Sequence, residues 1–244
     1  MEQVDILGVF AHPDDAELSV GGTLIKLKKL GYRTGVLDVT RGEMGTRGTV
    51  EGRAAEAQAA ARLLGLDTRE NLGLRDGHVF SDEVSRVAMV RALRRLKPRV
   101  VLTHQQGDSH PDHDAIASVI RQCSRLAAMT KFDPETSSER IQPPIIAHNI
   151  FSRRSSISFI VDISGELDAK MEAIAAHASQ FYDPGSTEPE TMLTSSTYLD
   201  EVSSRAKYYG SLIGCAAGEP YFVAEALNVD DPFALLSRPM NLYS

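Results

Sequence analysis

Residues 4–17 read VDILGVFAHPDDAE. The first half is an almost wholly apolar run of strand length, the pattern of a strand buried on both faces in a parallel sheet. The second half places a histidine, a proline and two adjacent carboxylates, His12, Pro13, Asp14 and Asp15, where that strand leaves the core. In an open parallel sheet, ligands bind outside the carboxyl ends of the strands, where strand order reverses. A site at this exit needs a second polar cluster, at the end of a neighbouring strand, to meet the first.

The rest of the first 130 residues alternates apolar, β-rich runs with helical patterns. After the first strand come LSVGGTLIKLKKLG, RTGVLDVT and VEGRAAEAQAAARLLG, then a weak strand around ENLGL. The helix SDEVSRVAMVRALRRLK, the strand RVVLTH and the helix DHDAIASVIRQCSRLAAM continue the series. Such alternation predicts an α/β fold, a mostly parallel sheet with helices on both faces. Gly31 and Gly65 read as helix stops, Ser81 as an N-cap and Pro98 as a separator. Beyond residue 130, KFDPETSSERIQPP reads as a loop, IIAHNIF and ISFIVDI as strands extending the same sheet, and ELDAKMEAIAAHASQF and YLDEVSSRAKYYGSLIG as helices. The loop at 182–196 is long enough for a lid or a subunit contact and equally fits plain surface.

With 244 residues and no internal repeat, one domain over 1–244 is expected. Neither an apolar span of bilayer length nor a signal-peptide pattern is visible, so the expectation is a cytoplasmic protein with no membrane partner. A net charge of −7 disfavours nucleic acid, whose phosphates are met by clustered Lys and Arg. Cys123 and Cys215 stand far apart, each in a helical-looking segment, which indicates neither a disulfide framework nor a thiolate metal site. Any metal must be held by His, Asp or Glu.

The fourth strand, RVVLTH, runs into a loop ending His110-Pro111-Asp112-His113, and first and fourth strands usually flank the reversal point. Two His and one carboxylate make a common catalytic zinc set with room left for water, and His12, Asp15 and His113 supply it. Asp14 is then free to take a proton from water, His110 to give one to a leaving group, and Asp112 to orient His110. Either motif alone is an ordinary turn, since Pro and Asp favour turns; together, each after a strand, they point to a site. His78, His104, His148 and His177 carry a structural or surface reading. Residues 41–53, RGEMGTRGTVEGR, could cradle an anion with arginine and close backbone, or be a solvated turn. No G-x-G-x-x-G follows the first strand, and Gly21-Gly22 comes too late to replace it.

AHPDDAE together with HPDH resembles the zinc-dependent deacetylases of the LmbE-like, or PIG-L, family. Likeness to the bacillithiol-biosynthesis branch extends through TRGEMGTRGTVEGRAAEA, FIVDISGELDAKMEAIAAHASQF and RAKYYGSLIGCAAGEPYFVAE, most of the chain. The resemblance implies a Rossmann-like fold and removal of acetate from a small N-acetylglucosaminyl substrate, the malate conjugate in that branch, by a protein that is often a homo-oligomer. By motif match it implies Zn2+, or another divalent metal such as Fe2+, on His12, Asp15 and His113. Asp14 would be the general base, His110 the partner acid or stabiliser, and Arg53 a substrate contact. A mobile side chain near the oxyanion is implied too, with Tyr182 and Tyr198 as candidates. The same ligand set also describes non-haem iron oxygenases, and a metal-dependent binding protein without turnover is the non-enzymatic rival. Other N-acetylglucosamine derivatives, an inositol conjugate or a chitooligosaccharide, are the alternative substrates.

Overall fold

The computed structural model describes residues 3–134, 141–151 and 156–237. Part of the loop expected at 131–144 therefore lies outside the described residues. The elements run β1 (Ile6–Phe10), α1 (Asp15–Lys29), β2 (Thr34–Thr40), α2 (Val50–Leu64), β3 (Thr68–Leu74), α3 (Glu83–Leu96), β4 (Val100–Thr103) and α4 (Pro111–Ala127). They continue with β5 (Ile145–Asn149), β6 (Phe159–Asp162), α5 (Leu167–Ala175), α6 (Tyr198–Leu212), β7 (Gly218–Val223) and α7 (Pro232–Leu236). One seven-stranded sheet has the order β3-β2-β1-β4-β5-β7-β6. β1 pairs in parallel with β2 and β4, β2 with β3 and β4 with β5, while β7 runs antiparallel to both β5 and β6.

Every residue of β1 is buried. Period-two alternation sends Ile6 and Phe10 into the core under α1 and Leu7, Val9 and Ala11 into the core under α3 and α4. That is why the run needs apolar residues at successive positions: helices cover both faces. Order reverses between β1 and β4, so the chain leaving each turns to opposite layers and a crevice opens between their ends.

Four local readings differ from the structure. Asp82, not Ser81, caps α3, its carboxylate accepting from Ser85 N–H at 2.8 Å, while Ser81 bonds Gln122 and Arg86. Helix α5 stops at Ala175, which leaves His177 in the turn beyond it, and Cys215 lies past the end of α6. Both cysteines are free. β7 is the strand that pattern alone misses: Pro220 sits in its middle and cannot donate to a ladder. Its carbonyl nevertheless accepts from Ile150 N–H at 3.0 Å, and β7 wedges between β5 and β6. Among the described residues no helix is long and apolar enough to cross a membrane.

A buried charge cluster ties the layers beneath the crevice. The Arg69 guanidinium on β3 forks onto Asp38 of β2 at 2.8 and 3.0 Å and reaches Glu17 of α1 and the Ala57 carbonyl of α2. Burial alone would raise the Glu17 pKa, but Arg69 and His177 outweigh it and hold it down at about 2. Arg69→Met is expected to destabilise the fold by about 3–5 kcal/mol, because two buried carboxylates lose their cation. A urea midpoint within error of the parent would contradict this.

Candidate metal centre

The crevice is built from the two turns that leave β1 and β4. After β1 the chain folds back at once: His12 N–H donates to Asp15 Oδ2 at 2.8 Å, and Asp15 opens α1. This tight reversal forces Asp14, at the N-cap, to φ 142°, a backbone conformation unusual for a residue with a side chain. After β4, His110 caps α4 and Pro111 starts it, which places His113 on the first turn facing β1.

Three donor atoms then converge. Asp15 Oδ2 lies 3.1 Å from His12 Nδ1 and 3.3 Å from His113 Nε2, and the two nitrogens are 3.4 Å apart. Ligands at about 2.0–2.1 Å around a tetrahedral ion stand roughly 3.3–3.4 Å from one another, so this triangle fits one face of a zinc-type site. A second grouping, His12, His110 and Asp112, is also compact. Its donors, however, are engaged elsewhere. His12 Nε2 bonds Asp76 Oδ1 at 3.0 Å, His110 Nδ1 accepts from Asp112 N–H at 3.3 Å, and the Asp112 carboxylate accepts from Gly77 and Val79 N–H at 2.7 and 3.2 Å. The Asp112 side chain thus holds the 77–79 turn; what reaches His110 is its backbone N–H.

Each ligand-set histidine backs onto a further carboxylate, Asp76 behind His12 and Asp108 Oδ1 3.5 Å from His113 Nδ1. Such partners fix ring orientation and raise ligand basicity. Neither was marked by sequence; a lone Asp in each of two loops carries no spacing signal. His104 also belongs here. Its ring stacks on His113 with centroids 3.9 Å apart, and its Nε2 accepts from Ala11 N–H at 3.0 Å. Burial pushes its pKa down to about 3, so it stays neutral.

The surrounding carboxylates govern charge. Burial works to lower the His12 pKa, but the carboxylates of Asp112, Asp15 and Asp76 around the ring favour its charged form and push it up to about 12. His113 is likewise raised to about 9, burial being outweighed by Asp15 and Asp108. Asp15 falls well below the carboxylate range despite its burial, because His113 and His12 face it. The carboxylates therefore favour the charged form of both rings in the metal-free chain. Because both histidine pKa values are raised, their protons are present at pH 7 and metal affinity should climb with pH through the neutral range. Zinc uptake at pH 7 is expected to release at least about one proton; equal calorimetric heats in buffers of different ionisation enthalpy would contradict it.

Asp14 lies beside the triangle, 4% exposed, with Arg53 Nη2 3.2 Å from its Oδ2. Burial above all, together with Asp15, pushes its pKa up to about 6 against the pull of Arg53. Arg53 comes from α2 and is buried too, donating also to the carbonyls of Gly42 and Pro13 at 3.0 Å each. It thus pairs with neither Glu51 nor Glu56, and its fork is turned to Asp14. Gly42, at φ 66°, leaves the space: a Cβ there would fall 2.1 Å from Arg53 Nη1. Arg47 is no anion cradle. It is buried against Glu188, Ser186 and the Phe181 carbonyl, which pins the 41–53 loop to the 181–188 segment.

A cavity of about 840 Å3 covers the cluster. Met44, Asp76 and Asn149 form part of its wall, and the 182–196 loop contributes Thr191, Met192 and Leu193. Of the two tyrosines, Tyr198 lines it and Tyr182 does not. Burial raises the Tyr198 pKa to about 12, which keeps the hydroxyl protonated.

Sheet and site together define a Rossmann-like α/β protein with a two-histidine, one-carboxylate cluster at its switch point. Residues 7–124 match the family model described as GlcNAc-PI de-N-acetylase, PIG-L, and the chain belongs to this PIG-L, or LmbE-like, family. It is 28% identical over 186 residues to a diacetylchitobiose deacetylase of Thermococcus kodakarensis, covering 72% of this chain and 70% of that one. It is 28% identical over 190 residues to a probable N-acetyl-alpha-D-glucosaminyl L-malate deacetylase 2 of Bacillus anthracis, covering 72% and 81%. The crystal structure of the conserved protein TT1542 of Thermus thermophilus superposes with a TM-score of 0.83 at 35% identity, covering 93% of this chain and 98% of that one.

Proposed function

We propose that the chain hydrolyses the N-acetyl amide of an N-acetylglucosaminyl conjugate, with a divalent metal, Zn2+ first and Fe2+ as the alternative, held by His12, Asp15 and His113. The observation that carries this is the donor triangle with an unligated, buried carboxylate beside it. A metal in that triangle supplies Lewis acidity toward water and the amide carbonyl. Asp14, with a pKa near 6, is mostly ionised at pH 7 and still basic enough to accept the proton of an attacking water. His110 accepts from Asp112 N–H through Nδ1, so its neutral ring carries the proton on Nε2. That N–H offers a hydrogen bond that stabilises charge developing at the amide, Tyr198 O–H offers another to the amide oxygen, and the proton that Asp14 accepts from water is the one passed to the departing amine. These roles need no metal ligand, which weighs against a protein that merely holds an ion.

The finer assignment, malate as aglycone, comes from the likeness to the bacillithiol-biosynthesis branch, with Arg53 as the substrate contact that would meet its carboxylates. The 28% likeness to a malate conjugate deacetylase is matched by the 28% likeness to a diacetylchitobiose deacetylase. Among the described residues, moreover, Arg53 is the one Lys or Arg in the cavity wall, and it is spent on Asp14. Arg53→Ala is therefore expected to lower kcat/KM by a similar factor on every substrate, by loosening the base; a loss confined to the malate conjugate would restore it as an aglycone contact. The function itself is tested by incubating the zinc-loaded chain, under argon, with the malate, inositol and chitobiose conjugates and free N-acetylglucosamine, and quantifying amine and acetate. Acetate release without oxygen separates hydrolysis from an iron oxygenase, which needs O2. No amine from any of the four would overturn the proposal.

A further inference from the structure

The β1–β4 ladder ends at the pair Val9 and Thr103, and beyond it the two strands part to open the crevice. Ala11 lies two residues past that pair and just before His12. It is fully buried, so its N–H and carbonyl both need partners, and the departing β4 backbone meets neither. The carbonyl accepts from Thr40 N–H at 2.9 Å and from Thr40 Oγ1 at 3.0 Å. The N–H donates to an imidazole, His104 Nε2, at 3.0 Å. The His104 side chain thus takes the place of a strand carbonyl where the sheet divides. Because that nitrogen's lone pair is engaged, His104 is not itself a ligand beside the triangle.

The same ring reaches the other half of the ligand set. It lies on His113 with centroids 3.9 Å apart and planes 10° from parallel, while the Phe10 ring of β1 meets it edge to face at 4.8 Å. His148 of β5 donates from Nδ1 to the His104 carbonyl at 2.7 Å, so backbone and side chain are both tied down. Asp108 reaches His113 at one ring nitrogen, a contact about which the ring could still swing. A second ring packed flat on its face removes that freedom. His110 stacks on His113 too, at 4.5 Å and 25°, but His110 is exposed whereas His104 is 5% exposed. One buried side chain therefore touches the backbone next to His12 and the ring of His113.

We propose that His104 is a positioning residue that braces the metal centre, fixing the exit of β1 through Ala11 and the tilt of the His113 ring through its face. The assignment rests on the ligand triangle proposed above. Two substitutions divide the brace. His104→Gln keeps an acceptor near the Nε2 position and loses the aromatic face, while His104→Phe keeps the face and loses the acceptor. Chelator competition should show zinc binding to each weakened at least about tenfold relative to the parent, the scale for partners that orient a metal ligand. The visible bands of Co2+ bound in place of zinc should change in both, since they report ligand geometry. The thermal midpoint of the metal-free chain should match the parent in His104→Gln, whose acceptor keeps Ala11 N–H satisfied. A merely structural histidine would lower that midpoint and leave the Co2+ bands of the loaded protein as they were. The brace is overturned if either variant binds zinc as tightly as the parent, if the Co2+ bands are unchanged, or if the zinc affinity of His104→Gln falls only alongside a matching loss of midpoint. Should His104→Gln not fold, the Co2+ bands of His104→Phe decide alone. A parent chain that takes up no zinc would overturn the triangle and the brace together, whereas variants that bind zinc as a zinc-binding parent does would overturn the brace and keep the triangle.

Discussion

Asp14→Asn is expected to keep its full complement of metal while losing about 100-fold or more in kcat, the usual scale for removing a general base. The two effects separate because Asp14 stands outside the triangle of His12, Asp15 and His113, whose atoms approach one another without it. Asparagine is the informative replacement. It is isosteric, tolerates positive φ better than most residues, and leaves an oxygen for Arg53 Nη2. The basicity is lost and the shape stays. Elemental analysis and steady-state kinetics on the same preparation decide it. Metal lost in step with activity would make Asp14 a ligand, and full activity would remove it from the chemistry. With the base titrating near pH 6 in the metal-free chain, and a bound cation lowering that value, the acid limb of the parent's rate profile should fall at or below pH 6. The asparagine variant should lack that limb.

His113→Ala should strip the metal. Carboxylate partners behind metal-bound histidines typically change affinity by about 10–100-fold, so deletion of a ligand should exceed the upper end of that range. Asp76→Asn and Asp108→Asn test the gradation within one site. Each leaves the donor triangle intact but replaces the charged acceptor behind a ring by a neutral amide, and each should weaken zinc binding by about 10–100-fold. The effect of Asp76→Asn should be the larger, since its contact to His12 is 3.0 Å against 3.5 Å for Asp108 to His113. Competition with a chelator of known affinity measures all three. A His113→Ala chain that holds zinc as the parent does would refute the site, and the compact grouping of His12, His110 and Asp112 would become the one to examine.

Residues 4–17 were enough to place the first strand, to show that it is covered on both sides, and to mark its exit as a place for chemistry. These are local properties. A strand covered on both faces must be apolar at successive positions, and the end of a parallel strand at an order reversal faces a crevice whatever the rest of the chain does. The second motif, HPDH, was legible for the same reason, since it follows a strand that β1 would be expected to neighbour, and β1 does pair with β4.

What only the tertiary structure decided are the relations between groups that no period or motif connects. Asp76 is 64 positions from His12, and Arg53 is 39 from Asp14. Each contact exists because closing the sheet brings a loop end against another, and neither leaves a pattern in the chain. Arg53 is the clearest case, because its residue type says only that it will seek an anion. A substrate carboxylate, a helix neighbour and Asp14 were all compatible with that, and the buried position of Asp14 settled it: a carboxylate out of water interacts far more strongly with a nearby guanidinium than an exposed glutamate does. β7 follows the same logic in reverse. Pro220 argues locally against a strand, yet its missing N–H is not what holds β7 in the sheet, since neighbouring residues pair with β5 and β6 and its carbonyl still accepts. Sequence determined which chemistry stands at the ends of β1 and β4. Packing across the closed sheet decided which of those side chains is left free to act, because that depends on partners supplied from distant turns.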